Sequence, residues 1–135
     1  MSMSAISTGL SGLRAAEARL DAVAANVANM STVGTAPGAS GSSPVYEPID
    51  VVTFQSGGGR PSGVGYGFVP DPTAYDMAYD PASPVADGKG MVAVPRIDPA
   101  EQMVNLAYAK AQFTASAKVV AAANSMERAA IDILA

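Results

Sequence analysis

The sequence predicts a mainly α protein with a β-containing middle, in which two long terminal helices flank a Gly/Pro-rich segment of short strands. Three observations carry this prediction. All ten Pro residues lie between positions 37 and 99, and eleven of the thirteen Gly residues lie between positions 34 and 90. Alanine, the strongest helix former, supplies 27 of the 135 residues and is concentrated at both ends. Apolar residues recur at helical spacing in the same two terminal segments.

The first segment, residues 1–30, has a large apolar residue at every seventh position. These residues are Ile6, Leu13, Leu20 and Val27. A small or apolar residue follows three positions after each of them, which completes an a/d heptad pattern over four repeats. The pattern predicts a coiled-coil helix over residues 4–29. A single helix of this kind is marginally stable in water, so we expect it to pack against a partner.

The last segment, residues 99–135, begins with a helix start signal. Asp98 can cap free backbone N–H groups, Pro99 suits the first helical position, and Glu101 can complete a capping box. No Gly or Pro follows, so one helix is predicted over residues 99–134. The large apolar residues that we expect to mark its packing face are Met103, Leu106, Phe113, Val120, Met126 and Ile133. We expect this helix to pair with the first one as a coiled coil in one structural unit, or with helices of other subunits.

The middle segment, residues 31–98, predicts turns joined by short strands. Three runs rich in β-formers, at residues 49–54, 64–69 and 91–94, are bounded by Gly and Pro. The second run alternates Gly with large residues, so one face can pack while the other admits a neighbouring backbone. Residues 34–44 have the low-complexity composition of a loop.

The composition excludes several kinds of chemistry. The chain has no Cys and no His, so thiol nucleophiles, disulfides, Cys/His zinc sites and imidazole bases are ruled out. An enzyme would have to rely on groups such as Asp76 with Tyr75 or Tyr79, and we expect neither catalysis nor a metal, cofactor or small-molecule substrate. A net charge of −4 without a basic cluster disfavours nucleic-acid binding. The longest uncharged stretch, residues 22–46, is rich in Gly, Pro, Ser and Asn and is not a membrane span.

Two sets of polar residues have more than one interpretation. Asp71, Asp76, Asp80 and Asp87 form an acidic series, but their spacing differs from a calcium loop and prolines intervene. We therefore predict turn-forming aspartates. Asn26 and Asn29 share one face near the end of the first helix, where they can bond across to a partner or cap the helix. We expect the capping role.

Three stretches resemble one known family. The run NVAN at residues 26–29 resembles the Asn-x-x-Asn motif of bacterial flagellar rod and hook proteins. Residues 79–92, YDPASPVADGKGMV, and residues 95–106, PRIDPAEQMVNL, are similar to segments typical of flagellar basal-body rod proteins of the proximal-rod C type. The resemblance extends over nearly the whole chain.

This resemblance implies a structural subunit of the bacterial flagellar basal body. Such a subunit assembles helically with itself and with other rod proteins into the periplasmic drive shaft, whose terminal helices line the export channel. It reaches the rod through the flagellar type III export apparatus. The alternative is a secreted Ala-rich helical hairpin that binds a partner protein. The residues expected at the assembly interface are Ile6, Leu13, Leu20, Asn26, Val27, Asn29, Met103, Leu106, Phe113, Val120, Met126 and Ile133.

Overall fold

A computed structural model describes residues 2–36, 43–57 and 63–134. Within these ranges the chain forms two helices and four strands. Their order is α1 (Ser2–Asn29), β1 (Ile49–Gln55), β2 (Val64–Pro70), β3 (Tyr75–Tyr79), β4 (Met91–Pro95) and α2 (Pro99–Leu134). The predicted class, two long helices flanking a β-containing middle, is confirmed. No helix in the described ranges is both long and apolar enough to cross a membrane.

Helix α2 begins and ends where the sequence predicts. Asp98 Oδ1 accepts a hydrogen bond from the Ala100 N–H at 2.8 Å, and the Asp98 carbonyl accepts one from the Gln102 N–H at 3.0 Å. Pro99 occupies the first helical position, where its missing N–H removes no helical hydrogen bond. Glu101 does not bond back to Asp98 in the described structure, so only the Asp98 half of the capping box forms.

The strands form two separate two-stranded sheets, β1 with β2 and β3 with β4. The sequence predicts β1, β2 and β4 but misses β3, because Asp and Pro turn signals surround it. Strand β3 exists through its antiparallel pairing with β4, in which Tyr75 lies opposite Pro95 and Tyr79 opposite Met91. Pairing between distant segments thus outweighs local turn propensity here.

A side chain of strand β1 packs over a glycine of the neighbouring strand β2. The Ser56 N–H donates to the Gly63 carbonyl at 3.0 Å, and this register places Phe54 opposite Gly65. The Phe54 ring fills the space in which a side chain at position 65 would stand. The space that the sequence leaves for a neighbouring backbone is therefore occupied by an aromatic ring from the adjacent strand.

The chain divides into two compact units. The first combines Met1–Asp21, Val51–Gly67 and Val104–Ala135, and the second combines Ala22–Asp50 and Phe68–Met103. Small side chains dominate both cores, since Val92 is the largest fully buried side chain of the described residues. The buried apolar residues are Ala15, Ala16, Ala18, Val51, Ala109 and Ala123 in the first unit and Ala22, Val23, Val45, Val92 and Ala93 in the second.

In the first unit, α1 and α2 approach each other through residues with little or no side chain. A Cβ atom on Gly9 would lie 2.6 Å from Val120 Cγ2, and one on Gly12 would lie 2.6 Å from Ser116 Oγ. The later position on α1 meets the earlier position on α2, so the two helices run antiparallel. Glycine at both positions is what allows this close approach.

In the second unit, Gly34 lies in a narrow space between two segments. Its N–H and carbonyl exchange hydrogen bonds with Ala93 of β4 at 2.9 and 2.8 Å, while the Val45 N–H donates to the Thr35 carbonyl at 3.0 Å. A Cβ atom on Gly34 would lie 2.5 Å from Val45 backbone atoms. Of the loop predicted over residues 34–44, residues 37–42 lie outside the described part of the chain.

Two of the four aspartates predicted to form turns close turns through their side chains, whereas the turn role expected for Asp76 is wrong, because this residue lies within β3 and pairs with Val94 of β4. Asp71 Oδ1 accepts hydrogen bonds from the Thr73 hydroxyl at 2.6 Å and the Thr73 N–H at 2.9 Å, and these bonds hold the pKa of Asp71 below its usual range. Asp87 Oδ1 accepts from the Met91 and Lys89 N–H groups at 2.9 and 2.8 Å, which lowers the pKa of Asp87 in the same way.

We predict that Gly34→Ala destabilises the protein, because the added methyl group meets backbone atoms that cannot rotate away. The expected loss in the free energy of unfolding is about 1–3 kcal/mol, measured by urea titration followed by circular dichroism. Gly88→Ala is the matched control, since no heavy atom lies within 4 Å of a Cβ atom there. Equal stability of the two variants would contradict the prediction.

We predict that stability declines in acid partly through Asp87. Its pKa is lower in the folded than in the unfolded chain, so its contribution is present above the unfolded value of about 4 and is lost as the pH falls through the folded pKa. Urea titrations between neutral and acidic pH should show a flatter profile for Asp87→Asn than for the wild type. An unchanged profile would refute the role of this carboxylate.

Candidate assembly interface

A buried cluster of hydrogen bonds surrounds Asn26 in the second unit. The side chain is 4% exposed, and its amide uses both donors and both acceptor positions. Nδ2 donates to the Ile49 carbonyl at 2.9 Å and to Gln102 Oε1 at 3.3 Å. Oδ1 accepts from the Ile49 N–H at 2.9 Å and the Tyr46 hydroxyl at 3.0 Å. We call Asn26, Tyr46, Ile49 and Gln102 the amide cluster.

The amide cluster joins three elements at one point. Asn26 bonds to both backbone groups of Ile49, the first residue of β1, in the way that a neighbouring strand would. Gln102 ties the same amide to the first turns of α2. Burial raises the pKa of Tyr46, whose hydroxyl donates to Asn26 Oδ1. Because every polar group of Asn26 is satisfied, its burial is tolerated.

The two asparagines of the predicted cap have different roles. Asn29 does bond within the end of α1, since its Nδ2 donates to the Ala25 carbonyl at 2.8 Å. The capping role expected for Asn26 is wrong, because that side chain points to Ile49, Tyr46 and Gln102 instead of its own helix. Asn26 lies one turn before the helix end, where the backbone groups within reach are already paired.

A second polar contact lies in the first unit. The guanidinium carbon of Arg19 lies 4.9 Å from the centre of the Tyr108 ring, and Arg19 Nη2 donates to Thr53 Oγ1 at 3.5 Å. The cation stacked on the ring adds about 0.5–2 kcal/mol to the pairing of α1 with α2. The heptad pattern alone does not reveal this contact, because Thr53 and Tyr108 lie far from Arg19 in the chain.

The structure separates the predicted interface residues by exposure. Asn26 is buried, and Val120 lies half-buried against Gly9. The other inward or partly covered residues are Ile6, Leu13, Leu20 and Asn29. The exposed ones are Val27, Met103, Leu106, Phe113, Met126 and Ile133. Their exposed fractions run from 37% at Phe113 to 84% at Ile133.

The buried side of α2 has its own seven-residue spacing, offset from the one that the large residues define. Gln102, Ala109 and Ala123 are buried and Ser116 is half-buried. Sequence reasoning missed these residues because it weighted large apolar side chains, whereas close helix approach favours small ones. Their regular spacing and small size were the available signal, while nothing in the sequence singled out Tyr46.

The described parts of the chain offer mainly packing surface. No three Asp, Glu, His or Cys side chains there are placed to hold a metal ion. Asp76, the carboxylate that a catalytic hypothesis would use, lies in β3 and faces Arg96 at 3.5 Å with both side chains exposed. Along α2, by contrast, a series of large apolar side chains is exposed to solvent.

We predict that Asn26→Asp destabilises the protein by at least about 2 kcal/mol at neutral pH, because a carboxylate cannot donate to Ile49 and Gln102 and carries a buried charge. Burial raises the pKa of the introduced carboxyl in the folded state. The loss should therefore shrink as the pH falls toward about 4, where the unfolded chain also protonates. Urea titrations at several pH values measure both effects.

The control is Asn29→Asp, which removes one bond of a half-buried side chain. We expect a loss of about 1 kcal/mol or less. A loss as large as that of Asn26→Asp would show that the amide cluster contributes no more to stability than a single half-buried hydrogen bond.

The two terminal segments match models of one group of proteins. Residues 6–34 match the family model described as flagella basal body rod protein. Residues 89–133 match the model of the flagellar basal body rod FlgEFG protein C-terminal region. These ranges hold most of α1, all of β4 and nearly all of α2.

Whole-chain relatives agree with these matches. The flagellar basal-body rod protein FlgC of Borreliella burgdorferi is 30% identical, with 97% of this chain and 96% of the relative aligned. FlgC of Agrobacterium fabrum is 31% identical over 92% of this chain and 88% of the relative. FlgC of Bacillus subtilis is 28% identical over 95% of both. The chain therefore belongs to the FlgC family of flagellar basal-body rod proteins and is a structural subunit of that rod.

Proposed function

We propose that this subunit assembles helically, with α1 and α2 paired as a coiled coil and the exposed apolar residues of α2 packed against neighbouring subunits. The observation that carries this proposal is the apolar surface that α2 leaves uncovered. It consists of Met103, Leu106, Phe113, Met126 and Ile133 together with Val104, Val119 and Ile131.

The energetics favour burial of this surface in an assembly. Covering one large apolar side chain contributes about 1.5–3 kcal/mol. Helix α2 has 36 residues, of which only Gln102, Ala109 and Ala123 are buried in the described structure. A helix with so little covered surface is weakly held on its own and gains most of its stability from contacts with other chains.

The length and chemistry of the chain suit a rod. At about 1.5 Å per residue, 36 helical residues span about 54 Å. Antiparallel helices of this length, aligned along the rod axis, would line the export channel, with the middle segment outside and the rod serving as the periplasmic drive shaft. The absence of Cys lets the unfolded chain travel through the flagellar type III export apparatus without forming disulfides. This role needs neither catalysis nor a cofactor, and its partners are further copies and other rod proteins.

We predict that Leu106→Asp and Phe113→Asp each abolish swimming while the protein is still produced at the wild-type level. Each substitution puts a charge where apolar packing with a neighbouring subunit is proposed. Soft-agar swimming and immunoblots of whole cells measure the two properties.

Asn105→Asp is the matched control, because it adds the same charge at an adjacent exposed position without removing an apolar side chain. This variant should swim. Normal swimming of the Leu106 and Phe113 variants would contradict assembly through α2. Absence of the wild-type chain from purified basal bodies would contradict the rod assignment itself.

A further inference from the structure

Helix α2 carries a shallow, mostly apolar groove on the side opposite its buried residues. The groove is lined by Ala107, Lys110, Ala111, Thr114, Ala115 and Lys118. All six are exposed, and neither lysine forms an ion pair within the part of the chain that the structure describes. We call this surface the outer groove of α2.

Helix α1 carries a matching stripe on the side opposite Gly9 and Gly12. Its members are Leu10, Arg14, Glu17 and Asp21, and all four are exposed. We call them the outer stripe of α1. Glu17 and Asp21 are like charges one turn apart, an arrangement that destabilises a helix unless a cation compensates it. Neither forms an ion pair among the described residues.

We propose that the outer groove of α2, together with the exposed residues Ala121 and Ser125 that continue the same helix face, binds the outer stripe of α1 from a second copy of this chain. Glu17 of the second copy lies opposite Lys118, and Asp21 lies opposite Thr114, between the two lysines. This inference rests on the proposed function, because helical assembly about one axis keeps each α1 antiparallel to the α2 of its neighbour.

The helix spacing allows a few antiparallel registers, and the charges of the two surfaces select one of them. The stripe has intervals of four, three and four residues, and the same intervals run backward along α2 from Ser125 through Ala121 and Lys118 to Thr114. Antiparallel alignments that keep these intervals differ by seven residues. One shift would place Arg14 opposite Thr114, between two lysines, and the other would place Glu17 opposite Ser125. Only the proposed alignment places a lysine directly opposite a carboxylate, and the shift that sets Glu17 opposite Ser125 also sets Arg14 opposite Arg128.

The contact joins two different surfaces, and this decides the kind of assembly that it produces. An interface between identical patches closes after two copies, whereas a contact from one surface to another leaves one of each free at the ends. Copies linked through the stripe and the groove therefore continue into an open chain. This is the connectivity that a helical rod requires.

Site-specific cross-linking tests the register in assembled basal bodies. The chain has no native Cys, so Glu17→Cys combined with Lys118→Cys introduces the only thiols. We expect a short bis-maleimide cross-linker to yield dimers and a ladder of higher multiples of the 13.5 kDa chain on immunoblots. Glu17→Cys with Ser125→Cys is the control pair, since position 125 lies two turns from Lys118, and it should remain monomeric.

Three results would overturn the inference while leaving the rod assignment intact. They are incorporation of the Glu17/Lys118 pair without cross-links, equal cross-linking of the control pair, and cross-links only to a protein of different mass. Absence of the wild-type chain from basal bodies would instead overturn the proposed function and this inference with it.

Charge reversal provides a second test that does not depend on cysteine variants being incorporated. Lys118→Glu should cause loss of swimming, because it places a third acidic group against Glu17 and Asp21 of the neighbour. Glu17→Lys combined with Lys118→Glu should restore swimming, and Lys89→Glu, on an exposed turn, should have no effect. Wild-type swimming of Lys118→Glu, or failure of the double variant to recover, would overturn the proposed contact.

Discussion

The approach of α1 to α2 through residues without large side chains is the constraint on which the rest of the first unit depends. Val120 lies so close to Gly9, and Ser116 to Gly12, that a Cβ atom on either glycine would collide with them. Once the helices are this close, the buried positions must stay small, and the core of the unit is built mainly of alanine. The larger apolar residues are displaced to the flanks and outer faces of the helices.

A core of small side chains buries little apolar area for each residue, so it specifies the structure weakly by packing alone. The hydrogen bonds of the amide cluster in the second unit are directional, whereas apolar packing is not. Asn26 satisfies four hydrogen bonds only when β1, Tyr46 and α2 are placed together around it. A shift of β1 by one residue would present the opposite face of the strand and break two of these bonds. The need to pair every polar group of Asn26 thus sets the register of β1, which contacts between small apolar side chains would leave loosely defined.

The use of small residues for internal packing also explains which residues are exposed. Because the internal seams use the small residues, the large apolar residues of α2 remain available for contacts with other chains. This division suits a rod subunit, which must be stable enough to keep its internal geometry and still gain most of its burial on assembly. The stripe and groove proposed above extend this logic, since they use the two helix faces that the internal packing leaves free.

The sequence by itself determined the bounds of α2, the end of α1, three of the four strands and the family. These features depend on local signals: the Asp98 cap, the exclusion of Pro from both ends, and the motif at residues 79–106. Only the tertiary structure decided which helix faces are buried, that Asn26 binds β1 instead of capping α1, and that β3 forms. Each of these depends on residues far apart in the chain. A heptad pattern shows that a helix has an apolar face, but the side that a partner covers depends on how closely the two backbones can approach, and here Gly9 and Gly12 settle that distance.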